Sequence, residues 1–226
     1  MAELIVEVGK IDGIERIRLG SLEPRIITEP FVQKIAGVKQ FCPHFHLSLQ
    51  SGSNSVLKRM NRKYSADEYY EKVLLLKKYF DNPAFTTDII VGFPGETDEE
   101  FQETLEFVKK IGFSQIHVFK YSQRAGTVAA KMPDQIPQIK KNERSNALTE
   151  VATAMSKEYK ALFKGRIEKI LIEEEIEIGD KKYQIGHNER YLKLAIDSNH
   201  NYTNTIKEAK VIKDLTDEIL YCEIIH

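Results

Sequence analysis

The sequence is poor in cysteine, has no long hydrophobic run and carries almost no net charge. Its two cysteines, Cys42 and Cys222, are too few for a disulfide framework. They are also too far apart to supply the three or four clustered ligands of a zinc or iron–sulfur site, so we expect no metal site in this chain. A formal net charge of −1 gives no electrostatic reason for binding nucleic acids or membranes.

The lack of long apolar runs excludes two further classes of protein. No run approaches the roughly 20 apolar residues of a membrane helix. Residues 1–9, MAELIVEVG, lack the basic start and the apolar stretch of a signal peptide. We therefore expect a soluble, cytoplasmic protein that does not contact a membrane. Hydrophobic residues make up 42% of the 226 positions, which is enough for a packed core.

The first half of the chain alternates β-rich runs with helical patterns. Four runs, each ending in a polar or glycine-containing loop, occupy residues 14–22, 45–50, 86–93 and 115–121. Repeated strand–helix–strand order is typical of a parallel α/β fold. Four strands are fewer than a closed barrel or a complete sheet usually has, so the pattern indicates part of a larger α/β architecture.

Local signals mark the helices between these strands. The tetrapeptides 65–68 and 97–100 are capping boxes, in which a Ser or Thr oxygen and a Glu side chain satisfy free N–H groups at a helix start. They predict a helix over 66–79 and a second helix that ends at Gly112, a typical C-cap residue. A shorter helix is predicted over 29–36.

The second half of the chain has a different organisation. Residues 138–163 predict one long helix with a single apolar stripe, which we interpret as core packing. Five short alternating strands follow, separated by turn residues, and they predict a small β-barrel of the OB type. We place the domain boundary near Lys164, which gives domains of residues 1–163 and 164–226.

Polar groups follow all four strands of the predicted parallel sheet. The strand ends read SLEP, QSGS, GFPGET and KYS. Because the carboxyl ends of parallel strands meet at one rim, we expect these groups to converge there. Gly92 and Gly95 let a ligand approach the backbone closely, and the helix that starts at Asp98 presents free N–H groups.

Four segments resemble the methylthiotransferases, a radical S-adenosylmethionine family. They are RIRLGSLEP at 16–24, HFHLSLQSGSNSVLKRMNRKYS at 44–65, DIIVGFPGETDEEF at 88–101 and HVFKYSQRAGTVAAKM at 117–132. They occur in the family's order. Residues 164–226 match the place and size of its TRAM domain. The resemblance implies the C-terminal half of a (β/α) barrel with about four parallel strands, followed by a TRAM barrel.

The resemblance also implies an activity. SLEP and the segment GHNERYL at 186–192 resemble the branch that methylthiolates C2 of N6-threonylcarbamoyladenosine in tRNA. The isopentenyladenosine and ribosomal-protein branches are alternatives. The implied cofactors are S-adenosylmethionine and 4Fe-4S clusters, and the implied partners are tRNA and an N-terminal half that carries the cluster cysteines. Neither cysteine set is present here, so we expect a fragment of a longer protein in preference to a decayed relative that only binds tRNA.

Carried over residue by residue, the resemblance implies two groups of site residues. The expected cofactor contacts are Glu23, Gln50, Ser51, Asp88, Gly92, Gly95 and Glu96. The expected substrate or RNA contacts are Arg62, Lys120, Tyr121, Arg124, Arg190, Tyr191 and Lys193. For Asp88 and Glu96 the alternative is capping and loop hydrogen bonding. For Arg62 and Lys120 the alternative is a solvated surface charge.

The charge of the small domain departs from that of an RNA-binding module. Residues 164–226 contain 10 Lys and Arg against 13 Asp and Glu, although phosphate binding depends on cations. We expect a local basic face, with Tyr191 and Tyr202 as stacking platforms, made of Arg190, Lys193, Lys207, Lys210 and Lys213. A sugar-phosphate or nucleotide enzyme is a further alternative, but no nucleophile or base set marks the rim.

Overall fold

The computed structural model describes residues 1–225. Within this range there are six α-helices: α1 (Ala2–Val8), α2 (Glu29–Ala36), α3 (Asn54–Arg59), α4 (Ala66–Tyr79), α5 (Asp98–Ile111) and α6 (Gln138–Ala161). The same range contains nine strands: β1 (Ser21–Leu22), β2 (His44–Leu47), β3 (Ala84–Val91), β4 (Gln115–Lys120), β5 (Ile167–Ile178), β6 (Lys181–His187), β7 (Lys193–Ile196), β8 (Ile206–Asp214) and β9 (Ile219–Ile224). The strands form one parallel sheet and one closed barrel.

The parallel sheet has the order β1-β2-β3-β4. Side chains alternate between its two faces. Phe45 and Leu47 of β2 are fully buried in the same core as residues of α2, α4 and α5, which cover one face. His46 lies between them in sequence and is only partly buried, on the opposite, more open face. The predicted α/β class with four parallel strands is confirmed.

Both capping boxes are formed. The Ser65 hydroxyl accepts from the Glu68 N–H (3.1 Å), and the Glu68 carboxylate accepts from the Ser65 N–H (2.7 Å). The equivalent pair at the start of α5 is also present. Helix α5 ends at Gly112, which has a φ of 73°, a conformation that glycine adopts at little cost. The helices predicted at 29–36 and 66–79 are confirmed to the residue.

The first predicted strand is shorter than the sequence suggested. Regular pairing is limited to Ser21–Leu22, and Ile17 forms only a single bridge to Phe41. The segment before this strand is anchored to the small barrel instead. The Arg16 guanidinium donates to the carbonyl oxygens of His187 (2.7 Å) and Lys169 (2.8 Å) in the small barrel. Helix α3 was not predicted, because six residues are too few for a periodic pattern.

The small barrel closes in the order β5-β6-β7-β9-β8, with β7 and β9 parallel and the other pairs antiparallel. Five strands in this arrangement form an OB-type barrel, as predicted. Gly186 of β6 pairs with Ile172 of β5. A Cβ atom on residue 186 would approach the Leu171 carbonyl oxygen to 1.8 Å, so the close approach of the two backbones requires glycine.

Helix α6 runs from the rim of the parallel sheet to the small barrel. Leu148, Met155 and Tyr159 are buried on its packed side, which agrees with the predicted apolar stripe. Leu162, which belonged to that stripe, is 48% exposed, because the α-helix has already ended at Ala161. The Tyr159 hydroxyl donates to the Asn82 carbonyl oxygen (2.7 Å). None of the helices within residues 1–225 combines the length and apolarity needed to cross a bilayer.

Candidate functional site

Gln50 follows β2 at the rim and has a strained backbone. Its φ is 71°, and the residue is 7% exposed. Its N–H donates to the Asp88 carbonyl oxygen (2.9 Å), and its own carbonyl oxygen accepts from the Ile90 N–H (3.0 Å). A left-handed conformation costs a non-glycine residue roughly 1–2 kcal/mol, and such strain concentrates at functional sites. Among the expected cofactor contacts, Gln50 is the non-glycine residue that has a left-handed backbone.

Glu23 and Arg62 lie beside the end of β2. Both residues are exposed, and both charges act on the hydroxyl of Tyr64. Burial raises the pKa of Tyr64 to about 12, with Arg62 lowering it and Glu23 raising it more weakly. The Tyr64 hydroxyl donates to the carbonyl oxygens of Ser48 (2.7 Å) and Leu49 (3.1 Å). Tyr64 therefore supports the strand end, and Glu23 and Arg62 place one negative and one positive charge near its hydroxyl.

The loop after β3 is fixed from behind by α6. The buried Arg144 guanidinium donates to Glu96 Oε2 (2.7 Å) and to the Glu96 carbonyl oxygen (3.0 Å). The Gly92 N–H donates to the same Oε2 (2.7 Å). Burial raises the pKa of Glu96, while the Gly92 N–H and Arg144 oppose the shift. The Glu96 carboxylate thus ties the loop to the helix, which is the loop role that the sequence offered as the alternative to a cofactor contact.

The glycines of this loop also serve packing. Gly92 has a φ of 71°, and a Cβ atom there would lie 2.4 Å from Lys141 Cγ. Gly95 has a φ of 74°, and its N–H donates to the Asp134 carbonyl oxygen (2.9 Å). The expected reason for these glycines, close approach of a ligand to the backbone, is therefore not needed. The left-handed backbone and the Lys141 side chain already require glycine at 92.

Ser51 is enclosed between the end of β2 and α5. The residue is 1% exposed. Its Oγ lies 3.2 Å from Thr104 Oγ1 and accepts from the Ser53 N–H (3.2 Å). The hydroxyl is directed away from the rim, so the expected cofactor contact by this side chain does not fit its position. Ser51 shapes the loop that carries Gln50.

Three predicted RNA contacts lie at or just after the end of β4. Lys120 and Arg124 are exposed, and the Lys120 ammonium donates to Asn142 Oδ1 (3.0 Å). The Tyr121 ring packs edge-on against Phe93 at 5.3 Å between centroids. The Tyr121 hydroxyl is buried and has no hydrogen-bond partner within the described part of the chain. Lys120 and Arg124 are thus free to meet a polyanion, whereas Tyr121 is largely part of the packing.

Asp88 lies below the rim, on the open face of the sheet. It occupies the middle of β3, and its Oδ2 is 3.4 Å from His46 Nε2. It does not cap a helix, which was the alternative role considered for it.

Arg190 joins the small barrel to the parallel-sheet domain. Its guanidinium donates to the carbonyl oxygens of Asn82 (2.9 Å) and Asp81 (2.7 Å), and it lies 5.3 Å from the centre of the Phe163 ring. Only 14% of its side chain is exposed. These contacts engage the guanidinium inside the chain, so Arg190 is less available for the basic RNA-binding face that the sequence predicts.

Tyr191 is already stacked within the chain. Its ring lies parallel to the His187 imidazole at 4.1 Å, and the Arg18 guanidinium carbon is 4.1 Å from the centre of the same ring. His44 is 5.5 Å away. The cluster closes the lower end of the open sheet face with residues of the small barrel. Lys193 borders a cavity of about 520 Å³ between the sheet, α6 and the barrel, and it therefore lies away from the rim.

A smaller set of basic residues remains available on the barrel. The Lys207 ammonium lies 4.3 Å from the centre of the Tyr202 ring, and the Lys213 ammonium is 5.9 Å from that of Tyr221. Lys210 is exposed on β8. These residues keep the combination of cations and aromatic rings that single-stranded nucleic acids favour.

Sequence reasoning missed the residues that hold the rim in place. Arg144 and Lys141 of α6 are buried. Arg59 of α3 donates to both oxygens of Glu100 (2.9 and 2.5 Å). The sequence signal would have been a basic residue on the buried side of an amphipathic helix, a place where cations are rare unless paired. Five of the predicted site residues lie at or near the rim and have either an exposed side chain or a strained backbone. They are Glu23, Gln50, Arg62, Lys120 and Arg124.

The two cysteines do not suit an iron–sulfur cluster. Cys42 is 3% exposed, and Cys222 is fully buried in the core of the small barrel. Burial raises the pKa of both thiols, that of Cys222 to about 12. Cluster ligands are thiolates that converge on one point, so these residues cannot hold such a cluster.

Comparison with known proteins identifies relatives of both parts of the chain. The model of the radical SAM superfamily matches residues 1–108. The threonylcarbamoyladenosine tRNA methylthiotransferase of Bacillus subtilis is 37% identical over 94% of this chain and 48% of its own length. The tRNA-2-methylthio-N(6)-dimethylallyladenosine synthase of Acetivibrio thermocellus is 43% identical over 80% of this chain and 38% of its own length. The chain thus spans about half the length, or less, of these curated relatives.

The fold agrees with this relationship. The coproporphyrinogen III oxidase of Escherichia coli, a radical SAM enzyme, superposes with a TM-score of 0.55 at 18% identity, over 69% of this chain and 37% of the oxidase. That likeness concerns the fold alone. Because relatives at 37 to 43% identity cover 80 to 94% of it, the chain belongs to the radical SAM methylthiotransferase family.

Proposed function

We propose that this chain is the part of a tRNA methylthiotransferase that contacts S-adenosylmethionine and RNA, and that the modified nucleoside is N6-threonylcarbamoyladenosine. One observation carries the choice of nucleoside. The Bacillus subtilis relative named for that nucleoside aligns over 94% of the chain, which includes the small barrel. The dimethylallyladenosine enzymes align over 76 to 80%.

The rim residues fit a nucleoside-type cofactor by their chemistry. Glu23 offers a carboxylate and Gln50 an amide at neighbouring strand ends, and the strained Gln50 backbone is fixed on both sides by main-chain hydrogen bonds. In this family, reductive cleavage of S-adenosylmethionine supplies the radical that activates C2 of the adenine. We assign Glu23 and Gln50 to orienting the cofactor through hydrogen bonds. Ser51, Gly92, Gly95 and Glu96 contribute by shaping the loops that carry the rim.

RNA would reach the same rim from the side that carries the exposed cations. Lys120 is the last residue of β4, Arg124 lies in the loop that follows it, and Arg62 lies in the loop between α3 and α4. On the small barrel, Lys207 with Tyr202 offers a charge and a stacking surface together. Phosphate contacts by such cations supply affinity and are sensitive to salt. The barrel therefore adds affinity, whereas the rim presents the base to the reacting atoms.

Catalysis by the chain alone is not expected. Neither thiol of residues 1–225 is placed to bind iron, so the cluster ligands must be supplied by another segment or subunit in the active enzyme. We propose that this is the N-terminal half that the family resemblance implies. The isolated chain should bind tRNA with measurable affinity and leave it unmodified.

The alternative substrate is a dimethylallylated adenosine. It is favoured by the higher identity of that group of relatives, 42 to 44% over their shorter alignments. Those alignments leave about 20 to 24% of the chain uncovered.

A grafting experiment separates the two substrates. Residues 1–226 would replace the matching segment of the Bacillus subtilis relative and, separately, that of the dimethylallyladenosine enzyme, in cells that lack both activities. The nucleosides of the tRNA would then be measured by mass spectrometry. We expect methylthiolated threonylcarbamoyladenosine from the first graft, and its loss with Gln50→Ala. Methylthiolation of dimethylallyladenosine alone, by either graft, would contradict the proposed substrate.

A further inference from the structure

Three side chains converge on the open face of the parallel sheet, below the rim. His46 lies on β2, Asp88 on β3 and His117 on β4. Asp88 and His117 are direct register partners, and His46 pairs with Thr86, two residues before Asp88 on the same strand. Since alternate residues of a strand share a face, the sheet brings all three onto one side. They are separated by 42 and 29 positions in sequence, which is why no spacing pattern reveals them.

The three groups are close enough to share one ligand. One nitrogen of each histidine and one oxygen of the carboxylate lie within 4.8 Å of one another. His46 Nε2 and Asp88 Oδ2 are 3.4 Å apart, with 14% and 31% of the side chains exposed. The His46 and His117 rings are 6.0 Å apart between centroids. His117 is exposed, so an ion can enter from the open face.

A fourth residue orients the first histidine. Thr86 Oγ1 lies 2.9 Å from His46 Nδ1. When that nitrogen donates to Thr86, the lone pair of Nε2 is directed toward Asp88. Metal-binding histidines are held in this way by a hydrogen bond at the other ring nitrogen, which fixes the tautomer and the ring orientation. Thr86 is 5% exposed and belongs to β3, so this orientation is built into the sheet.

We propose that His46, Asp88 and His117 bind one divalent first-row transition metal ion, with its remaining coordination positions directed toward the open face of the sheet. Two imidazoles and one carboxylate are a donor set that such ions accept, and three protein ligands leave room for water or another small ligand. This ion is distinct from an iron–sulfur cluster, since no thiol is involved. The proposal concerns this chain's own residues and does not depend on the identity of the RNA substrate.

The competing interpretation is a hydrogen-bonded ion pair between a protonated His46 and Asp88. Such a pair needs neither His117 nor a defined tautomer at Nδ1. A metal site requires all three ligands and is weakened when Thr86 is removed. The two interpretations therefore differ in their dependence on His117 and on Thr86.

Cobalt(II) titration of the chelator-treated chain tests the proposal. Visible absorption reports coordination by protein ligands, and zinc(II) is then added as a competitor. We expect one equivalent of Co²⁺ to bind and to be displaced by Zn²⁺. His46→Ala, Asp88→Asn and His117→Gln should each lose this absorption. Thr86→Val should weaken binding by about 10- to 100-fold, as outer-sphere substitutions do.

The matched control is His200→Ala. His200 is exposed on a loop of the small barrel and should leave the titration unchanged. Circular dichroism verifies that each variant is folded, and the exposed position of His117 makes His117→Gln the variant least dependent on core packing. Binding without a 1:1 end point, or 1:1 binding that survives in the folded His117→Gln variant, would overturn the assignment.

Discussion

The guanidinium of Arg144 binds both the carboxylate and the carbonyl oxygen of Glu96, and 4% and 2% of the two side chains are exposed. This pair connects α6 to the loop after β3. The carboxylate oxygen that Arg144 contacts, Glu96 Oε2, also accepts from the Gly92 N–H. The position of the strand-end loop therefore depends on a helix that lies after it in the chain.

The first prediction concerns the stability of this contact. Arg144→Leu leaves the Glu96 carboxylate buried without its partner, and we expect a loss of about 3–5 kcal/mol in the free energy of unfolding. Urea denaturation followed by circular dichroism measures it. The control is Lys140→Ala, which removes an exposed partner of Asp98 and should change the free energy of unfolding far less, because exposed ion pairs contribute little. Equal effects of the two variants would contradict the structural role given to Arg144.

The second prediction concerns the strained backbone of Gln50. Gln50→Gly adopts a φ of 71° without strain, whereas Gln50→Ala does not. We expect the glycine variant to be more stable than the alanine variant by about 1 kcal/mol. Both variants remove the side-chain amide, so both should weaken binding of S-adenosylmethionine by the cluster-loaded full-length enzyme, as measured by equilibrium dialysis. If the alanine variant were the more stable of the two, the left-handed conformation would be disproved.

The third prediction concerns thiol reactivity. Burial raises the pKa of Cys42 and of Cys222, the latter to about 12, and only the thiolate reacts with disulfide reagents. In the folded chain at pH 8 (about the pKa of a free thiol), neither cysteine should react with Ellman's reagent on the time scale of an exposed thiol. Both should react at once in urea. The reaction of Cys222 should remain slow when the pH is raised by one unit, because the pKa of this thiol is still well above that pH. Rapid labelling of either residue under native conditions would contradict the burial.

The fourth prediction separates the interdomain contact from RNA binding. Lys207→Ala should weaken tRNA binding and lower the slope of log affinity against log salt by about 1. Arg190→Ala should leave that slope unchanged, because the guanidinium binds the Asp81 and Asn82 carbonyl oxygens. It should instead make the region between the domains more sensitive to proteolysis. Filter binding at several salt concentrations measures both slopes. A slope that falls with Arg190→Ala and not with Lys207→Ala would reverse the assignment.

The predicted elements agree with the structure where their signals are local. Each capping box depends on groups three residues apart, so the start of α4 and that of α5 were readable directly. The first strand was not, because residues 14–20 depend on Arg16 reaching the small barrel. The same contrast between local and distant signals explains why only part of the site could be predicted. Strand ends could be located, but the direction of the Ser51 and Glu96 side chains depended on the helices packed behind them.

The sequence by itself determined the parallel α/β order, the boundaries of α2 and α4, the five-stranded barrel and the family resemblance, since each is encoded by neighbouring residues or by periodic patterns. Only the tertiary structure decided which polar side chains are engaged in hydrogen bonds within the chain and which remain free for a ligand. Arg144 and Glu96 are 48 positions apart, and Arg190 reaches a carbonyl oxygen 109 positions away. The convergence of His46, Asp88 and His117 likewise arises from strand register. Such contacts follow from the packing of distant elements, and no local preference of the chain encodes them.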